Sequence, residues 1–268
     1  MDNRPIGIFD SGLGGLTVLK EMRKLMPHED MVYFGDCGRV PYGTKSKETV
    51  IKYTMQDIKF LMSKNIKMII IACNTASACS FELVKGTLSI PVIEVIDPGA
   101  NAAVRESANR KIGVIGTTGT VSSGIYEKEI MNLNPKAEVY SAACPLFVPL
   151  AEEGWWDNEI AVKTAEEYLA PLKEKEIDTL VLGCTHYPLL QKTIAKVMGG
   201  NVKLVNSGFE VAKVAESLLK DLDLQSGSDS KQTSEFYTSD STEKFELLGS
   251  SFLGEKISSA KKIDIEKY

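Results

Sequence analysis

The chain has 268 residues, a formal net charge of −5 at pH 7 and acidic and basic side chains that are interspersed along its length. This pattern lacks the basic stripe of a nucleic-acid-binding protein, so no nucleic-acid partner is expected. Five cysteines without CxxC spacing and only two histidines fit neither a disulfide framework nor a metal centre, and no metal is predicted.

No apolar run approaches the roughly 20 residues that a membrane span needs. The first residues, Met1 to Pro5, have no signal-peptide character. The sequence therefore predicts a cytoplasmic protein without a membrane contact.

The first predicted unit is a strand over residues 6–9, a glycine-rich turn and a helix over residues 16–26. Thr17 stands where the third glycine of GxGxxG belongs, so the turn is a poor match to a dinucleotide site. We expect these glycines to let backbone amides approach a small anion at the helix start. Asp10 ends the strand, and its pattern fits a catalytic carboxylate as well as a helix N-cap.

A second strand is predicted over residues 31–35, followed by a polar loop and a helix over residues 48–63. Pro41, Tyr42 and Gly43 lie in that loop. They can close over a ligand through backbone groups, or they can form an ordinary connection.

The next strand, residues 68–72, is apolar and ends in Cys73, Asn74 and Thr75. Ligands of open α/β sheets bind outside the carboxyl ends of the strands, so this thiol and its polar neighbours are candidate active-site residues. A helix over residues 76–85 and a strand over residues 91–96 follow. The turn predicted at residues 97–99 marks a lobe boundary.

Three motifs then recur in the same order roughly 110 residues later, which indicates an internal duplication. Residues 112–116 repeat the first strand, Val148 and Pro149 repeat Val40 and Pro41, and Cys184 repeats Cys73. We therefore expect two pseudosymmetric α/β lobes with mainly parallel sheets and the active site in the cleft between them. The first lobe comprises residues 1–97 and 208–268, and the second comprises residues 98–207.

The remaining predicted elements complete both lobes. Helices are predicted over residues 158–174, 189–197, 211–222 and 243–253, and strands over residues 178–183, 202–205, 235–238 and 262–265. We expect the last strand to lie at an edge and the tail to pack on the first lobe.

The two copies differ in their ionisable residues. Gly116 replaces Asp10, whereas the second lobe carries Glu152, Glu153 and His186. These groups can assist catalysis, or they can be a solvated pair of carboxylates and a locally hydrogen-bonded histidine.

Two cysteines on opposite walls of a cleft suggest proton transfer on both faces of one carbon. One thiolate removes a proton while the other thiol delivers one, which is racemisation without a cofactor. A disulfide redox pair is the rival interpretation, but such pairs are usually close in sequence.

The motifs together resemble the cofactor-independent aspartate/glutamate racemase family over nearly the whole chain. They are the glycine-rich turn at residues 10–15, Pro-Tyr-Gly at 41–43, Cys-Asn-Thr at 73–75, Cys-Pro-Leu at 144–146 and Gly-Cys-Thr-His-Tyr-Pro at 183–188. The resemblance implies interconversion of L-glutamate and D-glutamate, with D-glutamate supplied for peptidoglycan. It also implies a homodimer that needs no cofactor.

The resemblance assigns roles to residues that match the family's motifs. Cys73 would act on D-glutamate and Cys184 on L-glutamate, assisted by Asp10, His186 and Glu152. The expected substrate-binding residues are Asp10, Ser11, Pro41, Tyr42, Gly43, Cys73, Asn74, Thr75, Thr117, Thr118, Cys184, Thr185 and His186.

Three alternatives stay open at this point. Another racemase of the family would act on aspartate or a hydantoin. A hydrolase would use only Cys184 and His186. A non-catalytic amino-acid-binding protein would need neither thiol.

Overall fold

The computed structural model describes residues 1–268 and contains two parallel β-sheets with helices packed on them. The strands are β1 (Ile6–Asp10), β2 (Met31–Gly35), β3 (Met68–Ile71), β4 (Val92–Glu94), β5 (Lys111–Gly116), β6 (Glu138–Ala143), β7 (Thr179–Gly183), β8 (Lys203–Asn206), β9 (Ser234–Thr238) and β10 (Lys261–Lys262).

The helices are α1 (Leu16–Leu25), α2 (Lys47–Met62), α3 (Asn74–Lys85), α4 (Ile96–Glu106), α5 (Thr118–Ser122), α6 (Ile125–Leu133), α7 (Phe147–Glu152), α8 (Glu159–Lys173), α9 (Gln191–Met198), α10 (Ser207–Asp221) and α11 (Thr242–Leu253). Short 3₁₀ turns cover Tyr42–Thr44, Tyr187–Leu190 and Ile265–Lys267. None of the helices combines the length and the apolar character that crossing a bilayer requires.

The strand order repeats between the two sheets. The first sheet has the order β10-β9-β2-β1-β3-β4 and the second has β6-β5-β7-β8, so β2-β1-β3-β4 corresponds to β6-β5-β7-β8. Every strand pair is parallel, including β9 and β10, which return the end of the chain to the first sheet. The predicted two-lobed α/β fold is confirmed, while the lobe boundaries at residues 97 and 208 stay a prediction.

One hydrophobic core runs through both lobes. It contains Leu16 and Ile70 from the first sheet and its helices, and Leu182 and Leu190 from the second. Burial of this shared apolar surface stabilises the two lobes against each other as well as individually.

The turn predicted at residues 97–99 is wrong, because these residues lie in the first turn of α4. The carboxylate of Glu94 accepts the N–H groups of Ile96 and Asp97 and thereby caps the helix start. Pro98 is tolerated there because N–H groups in the first turn of a helix have no acceptor within the helix, so a proline at this position loses no hydrogen bond. A buried glutamate two residues before the helix thus outweighs the local turn signal.

The last predicted strand is also shorter than expected. Only Lys261–Lys262 pairs with β9, and a 3₁₀ turn over Ile265–Lys267 follows. The side chain of Asp264 accepts the N–H of Glu266 at 3.3 Å and starts this turn, so the alternating pattern of residues 262–265 does not continue as a strand.

Candidate active site

Cys73 follows β3 and is the N-cap of α3. Its Sγ accepts the N–H of Ala76 at 3.4 Å and donates to Oγ of Ser11 at 3.5 Å. Burial, together with the charge of Asp10, raises the pKa of the Cys73 thiol to about 12. The structure therefore holds Cys73 as a neutral thiol near pH 7.

Cys184 occupies the equivalent position after β7 in the second sheet. Its Sγ lies 3.9 Å from Nδ1 of His186, and Nε2 of His186 lies 3.3 Å from Oε1 of Glu152. Burial opposes a charge on His186, but hydrogen bonds with Cys184 and Glu152 outweigh it and raise the pKa of the imidazole to about 10. An imidazolium beside the sulfur supplies the positive charge that a thiolate needs.

The carboxylate next to His186 is Glu152, at the end of α7. Its hydrogen bond with His186 lowers the pKa of Glu152 below the usual value, whereas Glu153 is exposed to solvent. The structure therefore distinguishes two neighbouring acids that the sequence pattern left equivalent.

The two thiols line one cavity between the sheets. The residues around it are Ser11, Val40, Pro41, Tyr42, Gly43, Cys73, Asn74, Thr75, Thr117, Val148, Cys184, Thr185 and His186. This set contains every expected substrate-binding residue except Asp10 and Thr118. Sequence reasoning missed Val40 and Val148 as lining residues, although the duplication pairs them with each other.

Asp10 lies behind the cavity wall and is fully buried. Its Oδ1 accepts the N–H of Gly15 at 2.9 Å and the hydroxyl of Thr185 at 3.1 Å. Burial raises the pKa of Asp10, against the opposing charge of His186 and the hydrogen bond from Thr185. The carboxylate of Asp10 thus occupies the Gly15 amide at the helix start, and the expected binding of a small anion there stays a prediction.

The glycine-rich turn brings the lobes together. A Cβ on Gly14 would lie 2.2 Å from Oγ1 of Thr185 and 2.5 Å from Nδ1 of His186. Beside it, Thr17 donates its hydroxyl to the carbonyl of Thr185 at 2.8 Å. Because Gly14 has no side chain, the turn leaves room for the loop that carries Cys184.

Three threonines form a second contact between the lobes. Thr75 of the first lobe bonds the hydroxyls of Thr117 at 3.0 Å and Thr120 at 3.3 Å, and Thr117 and Thr120 are 3.1 Å apart. Thr118 is exposed, begins α5 and is not among the residues that line the cavity, so its expected contact with substrate stays a prediction. Thr120 contacts Thr75 because the helix turns the third residue after Thr117 back towards the first lobe.

Tyr42 differs from the expected substrate contact because its hydroxyl points away from the cavity. It donates to Asp36 and, at 2.9 Å, to Oδ2 of Asp57, in a buried cluster that Arg39 completes. This cluster fixes the loop whose Gly43 packs against Thr117, where a Cβ would lie 2.7 Å from Cβ of the threonine.

Asn74 is oriented by a residue that the sequence pattern did not reveal. Tyr126 is buried in the second lobe and donates its hydroxyl to Oδ1 of Asn74 at 2.7 Å. Nδ2 of Asn74 is buried without a protein partner, so the amide presents a free donor at the cavity wall.

The site thus combines two thiols from different sheets, one His–Glu pair and several free polar groups. No group of three or more His, Cys, Asp or Glu side chains is arranged to hold a metal ion. The arrangement can move protons to and from a small molecule that is held between the two sulfurs.

The sequence of this chain is similar to those of known proteins over nearly its whole length. Residues 17–214 match the family model of the Asp/Glu/Hydantoin racemases. The chain is 50% identical to a glutamate racemase from Geobacter metallireducens over 263 residues, which covers 98% of this chain and 97% of the relative.

Two solved structures give the same result. A glutamate racemase isoform from Bacillus anthracis superposes with a TM-score of 0.95 at 38% identity and 98% coverage of both chains. A glutamate racemase from Francisella tularensis in complex with D-glutamate superposes with a TM-score of 0.93 at 40% identity and 100% coverage of both chains. The chain therefore belongs to the Asp/Glu/Hydantoin racemase family.

Proposed function

We propose that this protein is a glutamate racemase that interconverts L-glutamate and D-glutamate with two cysteine thiols as acid and base. D-glutamate would serve peptidoglycan synthesis, as the family resemblance implies. Full-length similarity to glutamate racemases supports the substrate. The observation that carries the mechanism is that Cys73 and Cys184 follow equivalent strands of two sheets and line the same cavity.

The proposed reaction begins with the two thiols in different protonation states. Starting from L-glutamate, the Cys184 thiolate removes the Cα proton, and Cys73 delivers its own proton to the opposite face. Starting from D-glutamate, the roles reverse. The raised pKa of Cys73 favours its role as the proton donor when L-glutamate is the substrate.

The substrate must be fixed while its Cα is deprotonated. Hydroxyls of Ser11, Thr75 and Thr185 and the free amide of Asn74 provide donors for its carboxylates. Donors that are positioned for developing charge contribute about 3–4 kcal/mol each in well-studied enzymes. Tyr42 contributes through its backbone, since its hydroxyl is engaged elsewhere.

The first test is the exchange of the Cα proton of L-glutamate in deuterated water, followed by proton NMR together with optical activity. The wild type should lose the Cα signal and form D-glutamate with no cofactor added. Cys73→Ser and Cys184→Ser should each abolish racemisation, because each face needs its own proton carrier. Cys79→Ser is the matched control, since Cys79 lies outside the cavity.

The rival functions predict other outcomes. Faster turnover of L-aspartate than of L-glutamate would contradict the substrate assignment and leave the two-thiol mechanism intact. Full activity of Cys73→Ser would contradict that mechanism and favour a hydrolase with Cys184 and His186 alone.

We further propose a cytoplasmic homodimer, on the strength of the resemblance to this family. Sedimentation velocity of the purified protein tests the dimer, and a mass near that of one 29.3 kDa chain would contradict it.

A further inference from the structure

The guanidinium of Arg39 is enclosed by acceptors from three segments of the first lobe. Its side chain is 10% exposed. Nε donates to Oδ2 of Asp36 at 2.7 Å, and Nη2 donates to Oδ1 of Asp57 at 3.0 Å. Nη1 donates to Oε1 of Gln56 at 2.6 Å and to Oε1 of Glu266 at 3.2 Å. The guanidinium thereby joins the end of β2, the helix α2 and the 3₁₀ turn that follows β10.

The side chain of Tyr42 is attached to the same cluster. Its hydroxyl contacts the carboxylates of Asp36 and Asp57. Its ring centroid lies 5.6 Å from that of Tyr53, and the guanidinium carbon of Arg39 lies 4.0 Å from the Tyr53 centroid. The cluster therefore fixes Tyr42 from the side opposite to the cavity that this residue lines.

The second copy of the duplicated unit has no such cluster. By the spacing of the repeat, the counterparts of Asp36 and Tyr42 are Ala143 and Leu150. There the chain continues as α7, which helical hydrogen bonds hold in place, whereas the first copy forms only one 3₁₀ turn. Apolar replacements of buried ion pairs often leave stability unchanged or increase it. The charged cluster therefore points to a requirement for one particular loop position.

On its other side, this loop touches the second lobe without any slack. A Cβ on Gly43 would lie 2.7 Å from Cβ of Thr117, and a Cβ on Gly119 would lie 2.9 Å from the carbonyl oxygen of Gly43. The hydroxyl of Thr117 in turn lies 3.0 Å from that of Thr75. Because Gly43, Thr75 and Thr117 all line the cavity, the position of the loop sets the shape of the space that receives the substrate.

We propose that Arg39 is a positioning residue that presses residues 40–43 against the second lobe and so sets the affinity for glutamate without touching it. This inference rests on the proposed function and names a further residue of the same site. Arg39 does not line the cavity, and the sulfurs of Cys73 and Cys184 make no contact with its cluster. Loss of binding that is shared by the ground state and the transition state raises KM and leaves kcat nearly unchanged.

The test compares the kinetics of wild type, Arg39→Ala, Arg39→Lys and Arg105→Ala, with racemisation followed by circular dichroism. KM of Arg39→Ala for glutamate should rise by about tenfold or more, with kcat within about threefold of the wild type. Arg39→Lys keeps the charge but lacks the planar fork that reaches several acceptors, so its KM should rise by less. Arg105→Ala is the matched control, because it removes a half-exposed arginine whose ion pairs lie with Glu106 and Glu210.

Chemical rescue distinguishes positioning from a general loss of stability. Arg39 lines an open crevice on the outer surface together with Gly38 and Ser239, so a guanidinium ion can reach the place of the missing side chain. Guanidinium chloride at about 50 mM lies far below the molar concentrations that unfold proteins. It should lower the KM of Arg39→Ala towards that of the wild type, whereas the same concentration of sodium chloride should not. A variant that is merely destabilised would not recover affinity in a denaturant.

Tyr42→Phe is the second variant and decides the matter if Arg39→Ala does not fold. It removes only the hydroxyl that reaches Asp36 and Asp57, and KM should rise in the same direction. Lower thermal stability with an unchanged KM in Tyr42→Phe and in the Arg39 variants would overturn the proposal and leave the cluster with a structural role alone.

Calorimetric titration with glutamate gives the same comparison without turnover. A wild type that binds glutamate but does not racemise it would contradict the proposed function, and the Kd values of the variants would still decide the contribution of Arg39. Equal Kd values for wild type, Arg39→Ala and Tyr42→Phe would overturn the positioning proposal even if racemisation is confirmed. The two failures are therefore distinguishable.

Discussion

The close approach of the lobes at Gly14 makes Gly14→Ala the sharpest test of the site geometry. The new Cβ would lie 2.2 Å from Oγ1 of Thr185, 2.5 Å from Nδ1 of His186 and 2.7 Å from its Cε1. Ordinary contact begins near 3.4 Å, so the loop that carries Cys184 must retreat by about 1 Å. The backbone of Gly14 is not left-handed, and the effect is therefore purely steric.

The displacement acts on the groups that prepare Cys184. The Thr185 hydroxyl donates to Asp10 of the other lobe at 3.1 Å, so this contact lengthens beyond hydrogen-bonding range. Cys184 and His186 retreat with the loop, which shifts both of them away from the substrate position and from Cys73. Misplacement of catalytic groups by 1 Å costs about 100-fold in rate, and overpacking of this kind costs about 1–3 kcal/mol of stability. We expect kcat/KM for glutamate to fall by about 100-fold while the protein stays folded.

The assay is racemisation by circular dichroism together with thermal unfolding. Gly86→Ala is the matched control, since a Cβ there meets nothing within 4 Å and the residue has φ −91°. Activity of Gly14→Ala within twofold of the wild type would refute this reasoning. It would mean that the contact between the lobes accommodates the new Cβ without displacing Thr185 or His186.

Three further predictions follow from buried polar groups. Tyr126→Phe removes the 2.7 Å bond to Asn74, so KM for glutamate should rise by about tenfold with a smaller change in kcat, and the unsatisfied amide oxygen should cost about 1–3 kcal/mol of stability. Burial raises the pKa of Glu94 to about 8 from 4.5, so the folded state retains a proton that the unfolded state releases between these values. The free energy of unfolding should therefore fall as pH rises through this window, by at most about 1.4 kcal/mol per pH unit. Lys67→Met leaves Glu29 buried without its cation, 2.5 Å away in the wild type, and should cost about 3–5 kcal/mol in urea unfolding.

Each of these has its own control. Tyr140→Phe alters a tyrosine outside the cavity and should leave KM unchanged; an equal rise in KM would contradict the role of Tyr126. Glu94→Gln should flatten the pH dependence of unfolding between pH 4.5 and 8, and an unchanged slope would place the titration elsewhere. Lys173→Met, at an exposed position, should change stability little, so a similar loss there would show that Lys67 has no special contribution.

The parts of the site that sequence reasoning predicted share a local signal. Cys73, Asn74 and Thr75 follow an apolar run directly, and Cys184, Thr185 and His186 do the same in the second copy. Because the carboxyl ends of parallel strands meet at one edge of a sheet, such residues enter the site wherever the strands pair. The duplication then places the two cysteines in corresponding positions without any knowledge of the three-dimensional contacts.

The residues that were missed or misplaced depend on contacts between distant segments. Tyr126 reaches Asn74 across the lobes and carries no motif of its own. Thr118 and Thr120 have the same side chain two positions apart, and only the direction in which α5 leaves β5 decides which of them meets Thr75. Likewise, the residues around Pro98 suggest a turn, but the side chain of Glu94 accepts the N–H of Asp97 and a helix begins there instead.

By itself the sequence determined the two-lobed α/β fold, the order of the main strands and the pair of thiols, because periodicity and an internal repeat are properties of neighbouring residues. Only the tertiary structure decided that Asp10 is buried behind the wall, that Glu152 rather than Glu153 meets His186, and that Gly14 admits the Cys184 loop. These facts arise where the lobes pack together. There close-packing selects among chemically similar residues by distances of about 1 Å, which no local pattern encodes.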